Sequence, residues 1–152
     1  MSWHFSLLEL RTILNTNSLN TTNTALNQLA TGVTTDTRTL QPGDIFVALV
    51  GEKFDGHDFV DRAIASGAIA LVLSRELSLT VNIPQFIVPD TLQAYQQIAS
   101  WWRDRFKIPV IGITGSVGKT STKELIAAVL NTQGKVLKTQ ANFNNEIGVP
   151  KT

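Results

Sequence analysis

Val110-Ile111-Gly112-Ile113-Thr114-Gly115-Ser116-Val117-Gly118-Lys119-Thr120-Ser121 is the stretch whose reading decides the fold. Its apolar first half reads as a buried strand, and two closely spaced glycines lead into Gly118-Lys119-Thr120, which opens a segment of helical periodicity. Strand, tight loop and helix start follow in the order a phosphate cradle requires. Glycines let the backbone approach an oxyanion and turn its N–H groups inward, while the helix start adds unpaired donors and the positive end of its dipole. Gly115, Ser116, Val117, Gly118, Lys119, Thr120 and Ser121 are therefore the expected nucleotide-binding residues. Lys119 is the candidate catalytic group, reaching the β- and γ-phosphates as a point charge, and the Thr120 hydroxyl is the candidate magnesium ligand. ATP and Mg2+ are the expected cofactors.

The stretch departs from the strict Walker spacing, because the earlier glycine of that pattern would fall at Ile113. A plain turn between a strand and a helix accounts for Gly115 and Gly118. It does not account for Lys119-Thr120-Ser121, since a turn has no need of a lysine and two hydroxyls at a helix start.

The rest of the chain is an ordinary globular sequence of 152 residues, 43% hydrophobic and 16% charged, enough to bury a core. Its formal charge of +1 argues against a nucleic-acid surface, so no nucleic-acid partner is expected. With no cysteine there is no disulfide framework or thiolate metal site, which suits the cytoplasm, the expected compartment. The N-terminus carries charge within its apolar stretch and does not read as a signal peptide. No apolar run approaches the ~18 residues of a membrane span, so no membrane insertion is expected.

From the start of the chain, Ser6 and Glu9 form a capping box for a short helix with Leu7, Leu10, Ile13 and Leu14 on its inner face. Residues 15–27, rich in Asn and Thr, read as a loop. Thr31 to Arg38 is β-rich, and Pro42-Gly43-Asp44 turns the chain into a buried strand from Ile45 to Val50. Asp58 is expected to cap a helix that stops at Gly67, ahead of a strand at Ile69 to Leu73 and a shorter one at Phe86 to Val88. Asp90 caps the longest helix, with Leu92, Tyr95, Ala99, Trp102 and Phe106 at helical spacing. After Pro109 come the strand at Val110, the helix from Lys119 and a short strand near Val136-Leu137.

The alternation predicts an α/β fold in two units, residues 1–107 and 108–152, hinged near the long helix. The first unit reads as complete. The second reads as the truncated start of a P-loop parallel sheet, because such a sheet has about five or more strands and takes its second magnesium ligand from a later one.

Thr114 to Ser121 resembles the ATP loop of the Mur ligases, which add amino acids to the peptidoglycan precursor and share the loop with folylpolyglutamate and cyanophycin synthetases. Two more stretches carry the resemblance. Thr35-Asp36-Thr37-Arg38, Gln41-Pro42-Gly43-Asp44-Ile45-Phe46-Val47-Ala48 and Gly51-Glu52-Lys53-Phe54-Asp55-Gly56-His57-Asp58-Phe59 resemble the N-terminal uridine-nucleotide-binding domain. Asn142-Phe143-Asn144-Asn145-Glu146-Ile147-Gly148-Val149-Pro150 resembles the members that add a dipeptide. The family has Asp-Ser-Arg where this chain has Asp36-Thr37-Arg38, a change that keeps the hydroxyl, and Val117 stands where Asn or Ser is common.

The resemblance implies an ATP-dependent peptide ligase of cell-wall synthesis, a monomer when full length, with UDP-N-acetylmuramoyl-tripeptide and D-alanyl-D-alanine as its partners. It places Thr37, Arg38, Asn144 and Asn145 on substrate, and the part of the family matched here is expected to be inactive by itself. The related ligase for the third residue, a non-catalytic uridine-nucleotide module and a small kinase are the alternatives. His57 beside Asp55 and Asp58 reads as structural rather than as a metal ligand, Asp36 as a turn residue, and Glu124 as one end of a helix-face ion pair. Only one of Trp101 and Trp102 can face a core.

Overall fold

The computed structural model describes residues 4–16, 18–19, 23–52, 54–139 and 145–151. The chain divides into two compact units, Met1–Trp101 and Trp102–Thr152.

The first unit is built on a five-stranded sheet. Strands β4 (Gly32–Thr34), β5 (Asp44–Val47), β6 (Ala70–Leu73) and β7 (Gln85–Ile87) run parallel in that order, and β2 (Ser18–Leu19) pairs antiparallel on the far side of β7. A two-stranded antiparallel pair, β1 (Phe5–Ser6) with β3 (Leu29–Ala30), stands apart from it. Every residue of β5 and β6 is buried, and apart from Asp44 at the start of β5 both read as apolar runs rather than as alternating ones.

One face of this sheet packs Phe46, Ala48, Leu71 and Leu73 against Val60 and Ala63 of helix α3 (Val60–Ala65), with Leu40, Ala68 and Ile83 filling in. Ile45, Val47, Ala70, Val72 and Phe86 alternate to the opposite face and are equally buried. Helices α1 (Leu7–Leu14) and α4 (Thr91–Asp104) carry the remaining large buried stripes, Leu7, Leu10 and Leu14 on one and Ala94, Tyr95 and Ile98 on the other. The Phe5 and Trp101 rings meet at 5.4 Å.

Local signals start and stop these elements. Ser6 accepts from the Glu9 N–H while the Glu9 carboxylate accepts from the Ser6 N–H at 2.9 Å, so the capping box forms as read. Asp90 Oδ1 accepts from the N–H groups of Leu92 and Gln93 and caps α4. Gly67, at φ +98°, turns the chain between α3 and β6.

Several expectations are corrected. The stretch 15–27 holds β2 and helix α2 (Asn23–Leu26), because β7 offers an open edge for pairing that a reading of composition does not see. Asp58 caps no helix: α3 follows Phe59 without a side-chain cap, and Asp55 caps the preceding 3-10 turn over Gly56–Phe59, accepting from the His57 N–H at 2.9 Å. The β5 strand ends at Val47, and Val50 is exposed. The buried stripe of α4 is Thr91, Ala94, Tyr95 and Ile98, so Leu92, Ala99, Trp102 and Phe106 lie beside it rather than within it.

The second unit contains one long helix, α5 (Lys119–Leu130). Neither Val110–Ile113 nor Val136–Leu137 forms a strand, and Val110, Ile111 and Leu137 are exposed. A parallel strand exists only by pairing, and no strand is described after β7 with which either could pair. Leu125 and Val129 of α5 are also exposed, with Ala127 its buried residue. Among the described residues, no helix is long and apolar enough to cross a membrane.

Candidate functional site

The candidate site has two parts, one in each unit. In the second unit Gly115, at φ +144°, and Gly118, at φ +80°, adopt backbone conformations that side chains with a Cβ resist. Crowding does not demand glycine at either position. Nothing lies within 4 Å of a Cβ built at Gly118, and at Gly115 the nearest atom is the Val117 carbonyl oxygen at 3.6 Å. What the glycines provide is a loop whose inner face stays open.

Gly118 is the N-cap of α5 and supplies no side-chain acceptor, and the helical ladder begins with the Thr122 N–H on the Gly118 carbonyl at 2.9 Å. The N–H groups of Lys119, Thr120 and Ser121 precede that bond and stand at the positive end of the helix, the arrangement that suits an anion. Lys119 Nζ donates to the Gly115 carbonyl at 2.5 Å, which holds the ammonium over the loop. Val117 is 90% exposed, so the cradle is one of backbone groups to which its side chain adds nothing.

Thr120 follows Lys119 in the first turn of α5 and is exposed. Among the described residues no group of three His, Asp or Glu side chains converges as a metal site. Glu124 forms an ion pair as expected, but with Lys138 and with Lys123 at 3.8 Å rather than with Lys119. The hydrogen bond from Lys138 holds the Glu124 carboxyl below its ordinary range. Asn145 Oδ1 accepts from the Gly148 N–H at 2.8 Å and so closes a turn over the following residues. Asn144 lies outside the described residues.

In the first unit the second part lies at the carboxyl ends of the parallel strands, the edge at which open α/β sheets receive ligands. Beyond β4, Asp36 is fixed by an exchange with the Thr34 hydroxyl, which accepts from the Asp36 N–H at 3.1 Å. Its carboxylate then grips Arg38 at both Nε (2.9 Å) and Nη2 (2.7 Å) and accepts from the Arg38 N–H. The Arg38 side chain is 76% exposed, and the hydrogen bond and charge of Asp36 raise its already high pKa. Thr37, half-buried, sits between the two. The turn role read for Asp36 is what the geometry shows.

Beyond β5 and β6 lies the group around His57, which the sequence reading took as structural. His57 is buried, its Nδ1 is 2.5 Å from Asp55 Oδ1, and its Nε2 receives the Ser74 N–H at 3.0 Å. A backbone N–H can only donate, so Nε2 is the acceptor and the ring proton sits on Nδ1, facing Asp55. Arg75 Nη2 donates to the other carboxylate oxygen, Asp55 Oδ2, at 2.9 Å. The backbone N–H of His57, then its ring and Arg75, hold the Asp55 carboxyl far below the usual carboxylate range. His57 is therefore structural, tying the loop after β5 to the end of β6. Arg75 drew no reading from the sequence, although a cation placed directly after an apolar strand marks the carboxyl edge. Two shallow cavities beside Ile64 and Val81 lie toward the opposite edge and hold none of these groups.

The family model described as Mur ligase family, catalytic domain, matches residues 29–103, and that of the Mur ligase middle domain matches residues 113–152. A UDP-N-acetylmuramoyl-tripeptide–D-alanyl-D-alanine ligase of Synechocystis sp. is 55% identical over 153 residues, covering 100% of this chain and 34% of its own length. The ligase of the same name from Escherichia coli is 53% identical over 120 residues, 79% of this chain and 26% of its own. Among solved structures, a crystal structure of MurF from Acinetobacter baumannii superposes with a TM-score of 0.88 at 32% identity, covering 99% of this chain and 32% of that one. MurF ligase from Thermotoga maritima, solved in complex with ADP, gives 0.70 at 36% identity over 78% of this chain and 27% of its own. The chain spans about a third or less of the length of these relatives.

Proposed function

The chain belongs to the Mur ligase family, and from that premise we propose that it carries the substrate-docking and nucleotide-docking segments of an ATP-dependent ligase. The reaction joins D-alanyl-D-alanine to UDP-N-acetylmuramoyl-tripeptide, in the cytoplasm and by a monomeric full-length enzyme. The observation that carries this reading is the 55% identity, across the whole chain, with the Synechocystis ligase of that name.

A carboxylate does not condense with an amine at neutral pH, because oxide is a poor leaving group. Transfer of the γ-phosphoryl of ATP to the terminal carboxylate of the tripeptide creates an acyl phosphate. The dipeptide amine then attacks the acyl carbon to form the C–N bond, the acyl C–O bond breaks with its electron pair leaving on phosphate, and the amine gives up its proton. The enzyme's share is positioning and charge neutralisation. In this proposal residues 1–107 dock the uridine nucleotide, with Arg38 and Thr37 toward its diphosphate, because a guanidinium fork suits two phosphates. Residues 108–152 hold ATP through the N–H groups from Gly115 to Ser121, with Lys119 on the β- and γ-phosphates. Thr120 would hold Mg2+, whose charge would offset that of the phosphates. Asn144 and Asn145 complete the assignment on the substrate side.

These residues by themselves are expected to show no turnover. Titration calorimetry of this chain with UDP-N-acetylmuramoyl-tripeptide and, separately, with MgATP tests the reading, with Lys119→Ala as the control. Heat from the uridine compound supports it. ATP binding lost in Lys119→Ala with no response to the uridine compound would leave the phosphate loop standing and remove the ligase.

A further inference from the structure

Arg38 and Arg75 occupy corresponding places. Each follows a parallel strand of the same sheet at its carboxyl end, Arg38 after β4 and Arg75 after β6. Strand β5 lies between them, so the two strand ends are separated by two strand spacings, about 10 Å. Both guanidinium groups are held by a carboxylate that is itself fixed to the loop. Asp36 is fixed through the Thr34 hydroxyl, and Asp55 through the backbone and ring of His57, whose other nitrogen is bonded to the backbone of Ser74, next to Arg75.

We infer that Arg75 is a second anion-binding residue of this edge, held by the Asp55–His57 pair so that it and Arg38 close on one diphosphate from either side of β5. The inference rests on the reading of the first unit as the uridine-nucleotide site. Three features carry it. The Arg75 side chain is 52% exposed, and among the described residues its bond to Asp55 is made through Nη2, which leaves Nε and Nη1 to donate elsewhere. The Asp55 carboxylate already accepts from the His57 N–H and from Nδ1, so its charge is shared among three donors rather than spent on Arg75. The loop that bears Asp55 packs closely on the chain that leaves β5. Gly56 passes so close to β5 that a Cβ there would stand 2.7 Å from the backbone nitrogen and oxygen of Leu49. An arginine oriented in advance loses less rotamer freedom when it meets an anion than one that is free to swing.

Uridine diphosphate is the probe, and its affinity is measured for the 152-residue chain and for Arg75→Gln, Arg75→Lys and Arg38→Ala. Arg75→Gln is expected to weaken binding at least tenfold with an unchanged melting temperature, as loss of a charged hydrogen bond predicts. Arg75→Lys, which keeps the charge without the fork, is expected to fall between Arg75→Gln and the parent chain, and it decides the matter if Arg75→Gln does not fold. Affinity within twofold of the parent in both Arg75 variants, with Arg38→Ala weakened, overturns the role of Arg75 and leaves the uridine-nucleotide reading intact. No binding of uridine diphosphate to the parent chain at millimolar concentration overturns both.

Discussion

Lys119 Nζ reaches back across the phosphate loop to the Gly115 carbonyl, four residues earlier, at 2.5 Å. The contact links the one cation of the loop to a glycine whose φ of +144° turns that part of the backbone toward the lysine. In the proposed nucleotide complex the phosphates would take over the ammonium from this carbonyl.

Replacing Lys119 by Ala removes that charge without removing a core contact. MgATP affinity is expected to fall roughly 10- to 100-fold, the scale of a hydrogen bond to a charged group, while far-ultraviolet circular dichroism stays unchanged. Titration calorimetry with MgATP reads the first and a spectrum the second. Parent-like affinity in the variant would remove Lys119 from the site.

Asp55 makes stability depend on acid. Its carboxyl is held far below the unfolded value of about 3.9, chiefly by the His57 N–H. A depressed carboxylate contributes fully above the unfolded value, and the contribution is lost as pH falls below about 4 toward the folded value. Urea midpoints taken from pH 7 to pH 3 are expected to fall more for the parent chain than for Asp55→Asn, and equal slopes would show that the pair contributes nothing.

Ser6→Ala deletes the side-chain half of the capping box at α1 and is expected to cost about 1 kcal/mol. For a unit of this size that is a drop of about 4–8 °C in melting temperature, readable by circular dichroism. Glu9→Gln, which keeps an acceptor for the Ser6 N–H, is expected to lose less than Ser6→Ala.

Gly56→Ala places a methyl group 2.7 Å from the Leu49 backbone nitrogen and oxygen, with no flexible side chain to give way. A loss of about 1–3 kcal/mol is expected from overpacking, read as a lower urea midpoint at unchanged slope. Gly118→Ala meets no atom within 4 Å and is strained only by its φ of +80°, so its cost is expected to stay within about 1–2 kcal/mol.

What could be read from sequence was whatever is written in neighbouring residues. The Ser6–Glu9 box, the Asp90 cap, the stop at Gly67 and the start of α5 at Lys119 depend on side chains within a few positions of the backbone they serve, and all four appear where read. The apolar runs Ile45–Val47 of β5 and Ala70–Leu73 of β6 were equally legible, since a strand buried on both faces shows no polar alternation.

The misses involve partners far away in the chain. Strand β2 exists because β7 lies beside it, with Ser18 opposite Phe86, and nothing near Ser18 announces that pairing. The apolar Val110–Ile113 run fails as a strand for the converse reason, because backbone N–H and C=O groups need a neighbouring strand however suitable the side chains are. Asp55 caps the turn ahead of α3, and its carboxylate meets the His57 ring and Arg75, the latter 20 residues on, while α3 itself starts without a side-chain cap.

The sequence by itself determined the phosphate loop, the helix it opens and the apolar strands of the first unit, because each is fixed by local backbone preference or by a short hydrophobic pattern. Only the tertiary structure decided that Arg38 and Arg75 share one edge of one sheet with β5 between them. Residues 37 positions apart become neighbours through parallel pairing, a long-range choice that buries both faces of the strands and that no local pattern encodes.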